Sequence, residues 1–378
     1  MDLDTLLRSV VSKGASDLHL KVGAFPHMRV SGELIPLGEF GKVTKEDALL
    51  MAFSIMTNKQ KQRFREAAEV DLGYGLKGLG RFRVNVFQQR GAVSIAIRAI
   101  PVSILGFEDL FLPKVLQKIA MEPRGLVLVT GTTGSGKSTS IAAMLNFVNE
   151  HLTRHIITIE DPIEFLHNDR LSIFSQREIS VDASSFSEAL RSALRQDPDV
   201  ILVGEIRDVE TAAIAIQAAL TGHLVLSTLH TNDAPTAIMR MLDLGVPHFL
   251  LQATLVGILS QRLVRKVCNY CKEITDVDTD QLRNLGLDVG RRGMVPLAHG
   301  KGCEKCRGTG YMGRTCIVEL IPFTEAIRRL TQASADVDAI RAKAREEGMR
   351  TLRESAIDKL LKGLTTYEEV LRVTWEQF

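Results

Sequence analysis

The sequence predicts an α/β protein whose main sheet is largely parallel. Four short apolar runs, at residues 126–130, 156–159, 200–203 and 224–227, are rich in β-branched residues and lack polar alternation. Such runs are typical of strands that are buried on both faces, as in a parallel sheet covered by helices. Helical segments separate the runs, and one of them opens with the capping sequence Ser185-Phe-Ser-Glu188. This alternation is what a parallel sheet requires, because each crossover needs a connecting segment.

Length and composition indicate a folded chain of more than one domain. The chain has 378 residues, of which 45% are hydrophobic, 24% are charged and 5% are aromatic. These values exclude a single small domain, a disordered chain and a fibrous repeat. Lys and Arg number 47 and Asp and Glu number 45, so the net charge of +2 provides no overall field for a nucleic-acid backbone. We therefore expect no nucleic-acid partner.

The N-terminus and the cysteine content favour a cytoplasmic protein. The acidic start Met1-Asp-Leu-Asp4 does not resemble a signal peptide, and no apolar stretch reaches the roughly 20 residues that a transmembrane helix needs. Five cysteines in a chain of this size favour a reducing compartment, where Cys-x-x-Cys pairs serve metal or redox chemistry. We therefore expect no transmembrane segment, and a membrane role only through partners.

Changes in pattern along the chain divide it into segments. Residues 1–100 combine short helices with alternating strands, as in a small α+β domain. A linker with a proline at each end is expected at 101–113. Residues 114–261 contain the apolar runs of an α/β nucleotide-binding core. Residues 262–378 are rich in Cys, Gly and charge and then end in helical patterns, which predicts a C-terminal subdomain.

A phosphate-binding loop follows the first apolar run. Residues 131–138 read Gly-Thr-Thr-Gly-Ser-Gly-Lys-Ser, which matches G-x-x-x-x-G-K-S/T between a strand and a helix. The glycines let backbone N–H groups surround a phosphate, Lys137 places a charge at the β- and γ-oxygens, and the Ser138 hydroxyl is suited to Mg²⁺. We therefore expect ATP and Mg²⁺ to bind here. The residues expected to hold them are Thr133, Gly134, Ser135, Gly136, Lys137, Ser138 and Thr139.

Two acidic segments follow later strands, at the edge where ligands of open α/β sheets bind. In Glu160-Asp-Pro-Ile-Glu164, a carboxylate is suited to hold Mg²⁺ or its waters, and we assign this role to Glu160. A solvated turn is the alternative, since Asp-Pro alone favours one. The run 200–203 leads into Gly204-Glu205 where a metal-binding Asp is usual, so we interpret Glu205 as the base that orients the attacking water. Asp208 either joins this site or merely caps the next helix.

Two histidines flank the fourth apolar run, His223 before it and His230 after it. Either is also explained as a hydrogen-bonded histidine of the core. A strand that ends in polar residues beside a phosphate loop is nevertheless a suitable place for a group that senses the γ-phosphate. We assign this role to His230 in preference to His223.

Four of the five cysteines form two Cys-x-x-Cys pairs, Cys268 with Cys271 and Cys303 with Cys306. Two such pairs supply four thiolates to a tetrahedral Zn²⁺ and leave no open position, so the site would be structural. The 31 residues between the pairs are more than a compact zinc ribbon uses. The fifth cysteine, Cys316, is expected to be a buried thiol.

A basic segment precedes the first cysteine pair and contains Arg262, Arg265 and Lys266. We interpret it as a solvated face, because runs of charge are usually solvated. Contact with an acidic partner is the alternative interpretation.

Together these motifs resemble the motor ATPases of type II secretion and type IV pili. The resemblance rests on ordered boxes at 131–139, 159–164, 201–208 and 221–231. Ala15-Ser-Asp-Leu-His19 and Gly80-Arg-Phe-Arg83 resemble the N-terminal domain of the family, so the likeness covers nearly the whole chain. The resemblance implies a RecA-like P-loop ATPase core, a PAS-like N-terminal domain, Zn²⁺ at the four cysteines and a homo-hexamer with ATP at subunit interfaces. It also suggests that Arg207 contacts a neighbouring subunit.

Three arginines of the predicted strands at 81–87 and 93–98 suit an ATP site between subunits. Arg81 and Arg83 are two residues apart on one strand face, roughly 7 Å, so both guanidiniums can engage one triphosphate as arginine fingers. Arg98 is the third candidate. An exposed basic strand is the alternative interpretation.

The resemblance points to two opposite activities, pilus or pseudopilus assembly and pilus retraction. Ala15-Ser-Asp-Leu-His19 lies almost at the start of the chain, as in retraction ATPases, which lack the adaptor domain that assembly and secretion ATPases place first. The tetracysteine element, Gly348-Met-Arg-Thr-Leu352 and Leu361-Lys-Gly-Leu-Thr365 resemble the assembly class, and typical retraction ATPases lack that element. Residues 339–346 match the retraction signature only in Ala-Ile-Arg. We favour a motor for pilin or pseudopilin assembly, with pilus retraction as the alternative.

The expected motor hydrolyses ATP at hexamer interfaces, rotates N-terminal domains against motor domains and drives an inner-membrane platform protein. It would be cytoplasmic and peripherally associated with the inner membrane. A DNA-binding or DNA-transfer ATPase is less favoured, because the charge is near neutral and aromatic residues are scarce. A small-molecule kinase would share the phosphate loop but would explain neither the arginine strand nor the four boxes.

Overall fold

The computed structural model describes residues 1–30, 33–100, 104–284, 286–290, 293–332 and 334–374. The chain forms two compact units, Met1–Ile104 with Pro162–Leu166, and Leu105–Asp161 with His167–Phe378. Residues 101–103 of the predicted linker lie outside the described residues, and residues 104–113 contain neither helix nor strand. Among the described residues, no helix combines the length and apolar character needed to cross a membrane.

The N-terminal unit is an antiparallel sheet accompanied by helices. Its strands are β1 (Asp17–Lys21), β2 (His27–Val30), β3 (Glu33–Pro36), β4 (Glu69–Leu76), β5 (Gly80–Gln89) and β6 (Ala92–Ile100). Its helices are α1 (Leu3–Ser12), α2 (Lys45–Ser54) and α3 (Asn58–Ala67), with a 3₁₀ turn at Gly38–Phe40. The strand order is β3-β2-β1-β6-β5-β4, and neighbouring strands are antiparallel. The predicted α+β character is observed, whereas a PAS-like fold stays a prediction.

The larger unit is built on a mixed sheet. Its strands are β7 (Gly125–Thr130), β8 (His155–Glu160), β9 (Ile173–Glu178), β10 (Val200–Val203), β11 (Leu224–Leu229), β12 (Leu255–Val267), β13 (Lys272–Asp278), β14 (Met294–Gly300) and β15 (Tyr311–Pro322). The main sheet has the order β15-β12-β7-β11-β10-β8-β9. Its neighbours are parallel from β12 to β9, and β15 is antiparallel at the other edge. Strands β13 and β14 form a separate antiparallel hairpin.

Helices cover both faces of this sheet, and α10 packs against the separate hairpin. They are α4 (Lys114–Ala120), α5 (Lys137–His151), α6 (Phe186–Ala193), α7 (Val209–Leu220), α8 (Ala234–Asp243), α9 (His248–Thr254), α10 (Thr279–Asn284), α11 (Glu325–Leu330), α12 (Val337–Glu346), α13 (Leu352–Leu361) and α14 (Tyr367–Thr374). A 3₁₀ turn spans Glu304–Cys306. The predicted cap of α6 is observed, since the Ser185 side chain accepts a hydrogen bond from the backbone N–H of Glu188.

Alternate residues of β7 face two different cores, which explains the unbroken apolar runs. Leu126 and Leu128 belong to a core that includes residues of α6, α7 and α8. Val127 and Val129 belong to the core on the other face, with residues of α4 and α5. Because both faces are buried, the strands need no polar alternation. The predicted α/β fold with a parallel-rich sheet is confirmed.

The predicted C-terminal subdomain continues the same sheet. Strand β12 runs through the boundary that we expected between residues 261 and 262, and it pairs with both β7 and β15. The hairpin β13–β14, α13 and α14 share a smaller core with Val264 and Ile317. The cysteine pairs and the hairpin β13–β14 therefore form an insertion between the neighbouring sheet strands β12 and β15.

Candidate nucleotide site and cysteine cluster

The phosphate loop joins the end of β7 to the start of α5. Gly134 and Gly136 have φ angles of +77° and +89°, in the left-handed region that favours glycine. A Cβ on Gly131 would lie 2.4 Å from the backbone oxygen of Gln261. The loop therefore requires glycine both for its own turn and for the close approach of β12.

Lys137 is held inside this loop. Its side chain is buried, and Nζ donates hydrogen bonds to the carbonyl oxygens of Gly131 (2.8 Å) and Thr132 (3.2 Å). Lys137 and Ser138 are the first residues of α5, where the helix dipole also favours an anion. The arrangement offers a cation, a hydroxyl and a helix N-terminus to a polyphosphate.

Gln261 of β12 supports the phosphate loop through a hydrogen bond. Its buried Nε2 donates to the backbone oxygen of Ser135 at 2.8 Å, across 126 residues of sequence. A Cβ on Gly136 would lie 3.0 Å from the same nitrogen. Gln261 could not be predicted from the sequence, because a contact between residues so far apart leaves no local pattern.

Glu205 lies just beyond the buried strand β10, and its side chain is 18% exposed. Arg207 Nη2 is 2.7 Å from Oε2, and His230 Nε2 is 3.2 Å from Oε1. Burial raises the pKa of this carboxyl, but the Arg207 hydrogen bond and the charges of Arg207, His230 and Lys137 outweigh burial and hold the pKa below its usual value. Glu205 is therefore ionised at neutral pH, as a base must be.

The carboxylates of Glu160 and Glu205 lie at the ends of neighbouring strands, and Gly204 allows those ends to approach closely. Glu160 ends β8, next to β10, and its Oε1 accepts a hydrogen bond from Thr158 Oγ1 at 2.7 Å. The Gly204 N–H donates to the Ile159 oxygen at 2.8 Å. A Cβ on Gly204 would lie 3.1 Å from that oxygen and 3.4 Å from Glu160 Cα. Glycine thus permits this close approach of the strand carrying Glu160 to the turn before Glu205.

Replacing Gly204 with Ala is expected to slow ATP hydrolysis by about tenfold, because displacing either carboxylate by a few tenths of an ångström disturbs an aligned site. Phosphate release by the purified variant measures this effect. Gly38→Ala is the control, since a Cβ there meets nothing within 4 Å among the described residues. Equal rates for Gly204→Ala and wild type would contradict the requirement for a close approach.

Two predicted candidates have structural roles instead. Asp208 caps α7, with Oδ1 accepting from the Thr211 N–H at 2.8 Å, so its capping interpretation is the one observed. His223 precedes β11, whereas His230 follows that strand, so the two histidines lie at opposite ends of it. His223 Nδ1 contacts the carbonyl oxygen of Ala218 at 2.9 Å. The contact of His230 with Glu205 is consistent with assigning the γ-phosphate sensor role to His230 in preference to His223.

An open cleft of about 610 Å³ adjoins the phosphate loop. It is lined by loop residues 132–135, by Arg262 and Leu263 of β12, and by α14. Its volume lies within the range of about 300–1,000 Å³ that is common for small-molecule sites. Arg265 of the basic segment is exposed, in line with the interpretation as a solvated face, but it also pairs with a buried carboxylate of α14, and Arg262 lines this cleft.

The three candidate arginines lie on one face of the N-terminal sheet. Phe82 and its alternating neighbours in β5 are buried, whereas Arg83 is exposed and stands opposite Arg98 of β6. Arg81 precedes Arg83 by two residues and shares its side of the strand. Arg98 Nε is 2.8 Å from Asp17 Oδ1, within the sequence Ala15-Ser-Asp-Leu-His19. That these arginines engage ATP stays a prediction.

The four paired cysteines meet in one cluster. Their sulfurs all lie within 4.8 Å of one another, with Sγ–Sγ distances of 3.9 Å for Cys268–Cys303 and 3.7 Å for Cys271–Cys306 and Cys303–Cys306. Tetrahedral Zn²⁺ with Zn–S bonds of roughly 2.3 Å would place its sulfurs about 3.8 Å apart. The N–H of Gly310 also donates to Cys306 Sγ at 3.3 Å, as suits a thiolate. The donor set therefore fits Zn²⁺.

The hairpin β13–β14 accounts for the long spacing between the pairs. Lys272 pairs with Gly300, so the hairpin leaves the cluster after Cys271 and returns to it before Cys303. Cys316 lies outside the cluster as a buried thiol, as expected, with Sγ donating to the Leu110 oxygen at 2.8 Å. Burial raises the pKa of Cys316 to about 11, so this thiol is protonated.

Comparison with known proteins supports a nucleotide site at the phosphate loop. The sequence profile of the Type II/IV secretion system protein family matches residues 1–372. The chain belongs to this family. It is therefore a P-loop ATPase of the secretion and pilus class, which confirms the resemblance found in the sequence.

Individual relatives of this secretion-family ATPase include pilus and secretion proteins. It is 44% identical to the type IV pilus retraction ATPase PilT of Pseudomonas aeruginosa over 71% of this chain and 79% of that protein. It is 37% identical to the type II secretion system protein E of the same species over 99% of this chain and 75% of that protein. It is 38% identical to the pilus assembly ATPase PilB of Thermus thermophilus over 98% of this chain, which spans 42% of that protein.

A solved structure supports the same family. The crystal structure of the pilus retraction motor PilT with bound ADP superposes on this ATPase with a TM-score of 0.81 and 36% identity, over 99% of this chain and 97% of that one. The relatives thus include both assembly and retraction proteins.

Proposed function

We propose that this ATPase is a hexameric motor that hydrolyses ATP to drive pilin or pseudopilin assembly in a type IV pilus or a type II secretion system. Hydrolysis is supported above all by one observation: Glu205 is an ionised carboxylate that Arg207 and His230 hold near the charge of Lys137. A carboxylate in this position accepts a hydrogen bond from the attacking water and then takes its proton.

Residues of the phosphate loop and of the strand ends are proposed to bind the phosphates, to hold Mg²⁺ and to sense the γ-phosphate. Residues 133–139 bind the phosphates, and Lys137 stabilises the charge that develops on them. Ser138 and Glu160 are the proposed ligands of Mg²⁺ or its waters, and Mg²⁺ bound with ATP would neutralise phosphate charge. His230 contacts Glu205 and so is suited to report the γ-phosphate to the base.

The proposed motor acts through contacts between subunits. We propose a homo-hexamer with ATP at subunit interfaces, where Arg81, Arg83 and Arg98 approach the ATP bound by a neighbour and Arg207 contacts an adjacent subunit. The cytoplasmic hexamer would associate peripherally with the inner membrane through a platform protein. Family membership supports these contacts.

The cysteine cluster favours assembly or secretion over retraction. Its sulfur spacing suits structural Zn²⁺, which we propose is bound there, and the tetracysteine element resembles the assembly class. The second candidate is pilus retraction, which the 44% identity to the retraction ATPase PilT favours. A DNA-transfer ATPase is the least supported alternative.

The direction of work is tested in cells whose only copy carries Glu205→Gln. Loss of surface pilin, or accumulation of unsecreted substrate, is expected for an assembly or secretion motor. An excess of surface pilin would establish retraction and overturn the main proposal. Glu210→Gln is the matched control, because Glu210 lies nearby on α7 in an exposed ion pair with Arg191.

A further inference from the structure

A buried carboxylate on the C-terminal helix α14 has no role in the proposed chemistry. Glu369 has 0% side-chain exposure and accepts hydrogen bonds from two arginines. Arg265 donates through its backbone N–H (2.8 Å), Nε (3.0 Å) and Nη2 (2.8 Å), and Arg372 donates through Nε (2.8 Å) and Nη2 (2.6 Å). Burial opposes ionisation, but these donors hold the pKa of Glu369 at about 2. The carboxylate is therefore a charged anchor.

This anchor ties α14 to strand β12. Arg265 belongs to β12, and its guanidinium stacks over the Tyr311 ring at 4.0 Å. Thr365, just before α14, donates from Oγ1 to the Arg265 carbonyl oxygen at 2.8 Å. Tyr311 in turn shares a 2.7 Å hydrogen bond with Thr366. The start of the helix is thus fixed to β12 by the Arg265–Glu369 pair and the Thr365 hydroxyl, and to β15 by the hydroxyl of Tyr311, which is the first residue of that strand.

The anchored helix forms one wall of the cleft beside the phosphate loop. Leu371 and Val373 of α14 line that cleft, as do Arg262 and Leu263 of β12. Arg262 also donates from Nη1 to the Val373 carbonyl oxygen at 2.6 Å. A cleft that offers both a guanidinium plane and aliphatic side chains suits a planar aromatic base with its ribose.

We propose that α14 is the nucleoside-binding wall of the ATP site, with Arg262 and Leu371 contacting base or ribose, and that Glu369 is the positioning residue that holds this wall. The inference rests on the proposed binding of ATP at the phosphate loop. With the triphosphate on residues 131–138, the rest of ATP extends into the adjoining cleft. The phosphate loop and α14 then recognise different parts of one ligand.

Separate measurements of ATP and inorganic tripolyphosphate binding by calorimetry test this division. Glu369→Gln removes the charge that holds both guanidiniums, so ATP is expected to bind about tenfold more weakly while tripolyphosphate binding is unchanged. Leu371→Ala, which leaves the anchor intact, is expected to show the same selective loss. Glu325→Gln is the matched control, because its carboxylate is exposed and pairs with Arg329.

Lys137→Ala separates this inference from the proposed function. It is expected to weaken binding of both ligands, since both place phosphates on the loop. If wild-type protein does not bind ATP, or if Lys137→Ala leaves ATP binding unchanged, the proposed function fails. If ATP binding depends on Lys137 but Leu371→Ala and folded Glu369→Gln bind ATP like wild type, only the assignment of α14 is overturned.

Discussion

Glu205→Gln is expected to slow ATP hydrolysis by about 10²- to 10³-fold while changing ATP affinity less than about threefold. The amide has nearly the shape of the carboxylate but cannot take a proton from the attacking water. Binding should persist, because the phosphates are held by the loop and by Lys137, whose hydrogen bonds to Gly131 and Thr132 do not involve residue 205. Steady-state phosphate release and binding of a fluorescent ATP analogue measure the two effects.

Glu210→Gln provides the matched comparison for hydrolysis. Glu210 lies in the first turn of α7, and its exposed side chain is 2.8 Å from Arg191. This variant loses one carboxylate close in sequence to Glu205 and should retain wild-type turnover, since exposed ion pairs contribute little. Near-normal turnover of Glu205→Gln would remove Glu205 from the mechanism and shift attention to Glu160.

The sheet and the phosphate loop were predictable because their signals are local. The alternating burial of β7 into two cores leaves an unbroken apolar run, and the run is visible without any partner strand. The glycines of the loop follow from backbone conformation at single positions, such as Gly134 and Gly136. The position of Glu205 at the candidate site was predictable because it follows a buried strand by two residues, at the edge of the sheet where ligands bind.

Contacts between distant segments could not be predicted in this way. Arg265 looks like a solvated charge in its own neighbourhood, and its partner Glu369 comes 104 residues later. The hairpin strand β13 was also missed, because much of it is exposed and shows neither an apolar run nor a buried face. The sequence around a residue indicates its backbone conformation and which face of a strand or helix it occupies. The roles of Arg265 and β13 depend instead on contacts with distant segments, which form only in the folded chain.

Cys268→Ser is expected to abolish stoichiometric metal binding and to lower the midpoint of thermal unfolding by on the order of 10 °C. Three remaining thiolates leave a tetrahedral site incomplete. The cluster joins the end of β12 to both ends of the hairpin β13–β14, and Val295 and Leu297 of that hairpin share a core with α13 and α14. Loss of the metal should therefore loosen this part of the chain. Elemental analysis and circular dichroism measure the two effects.

Cys316→Ala is the control that separates the cluster from cysteine content in general. Cys316 is buried like Cys268, but its Sγ donates to the Leu110 oxygen and does not belong to the cluster. This variant should keep about one Zn²⁺ per chain even if the loss of a buried sulfur costs some stability. Wild-type protein with far less than one Zn²⁺ per chain, or a Cys268→Ser variant that melts like wild type, would contradict a structural metal. The sulfur spacing would then reflect a reduced thiol cluster held by its backbone N–H donors.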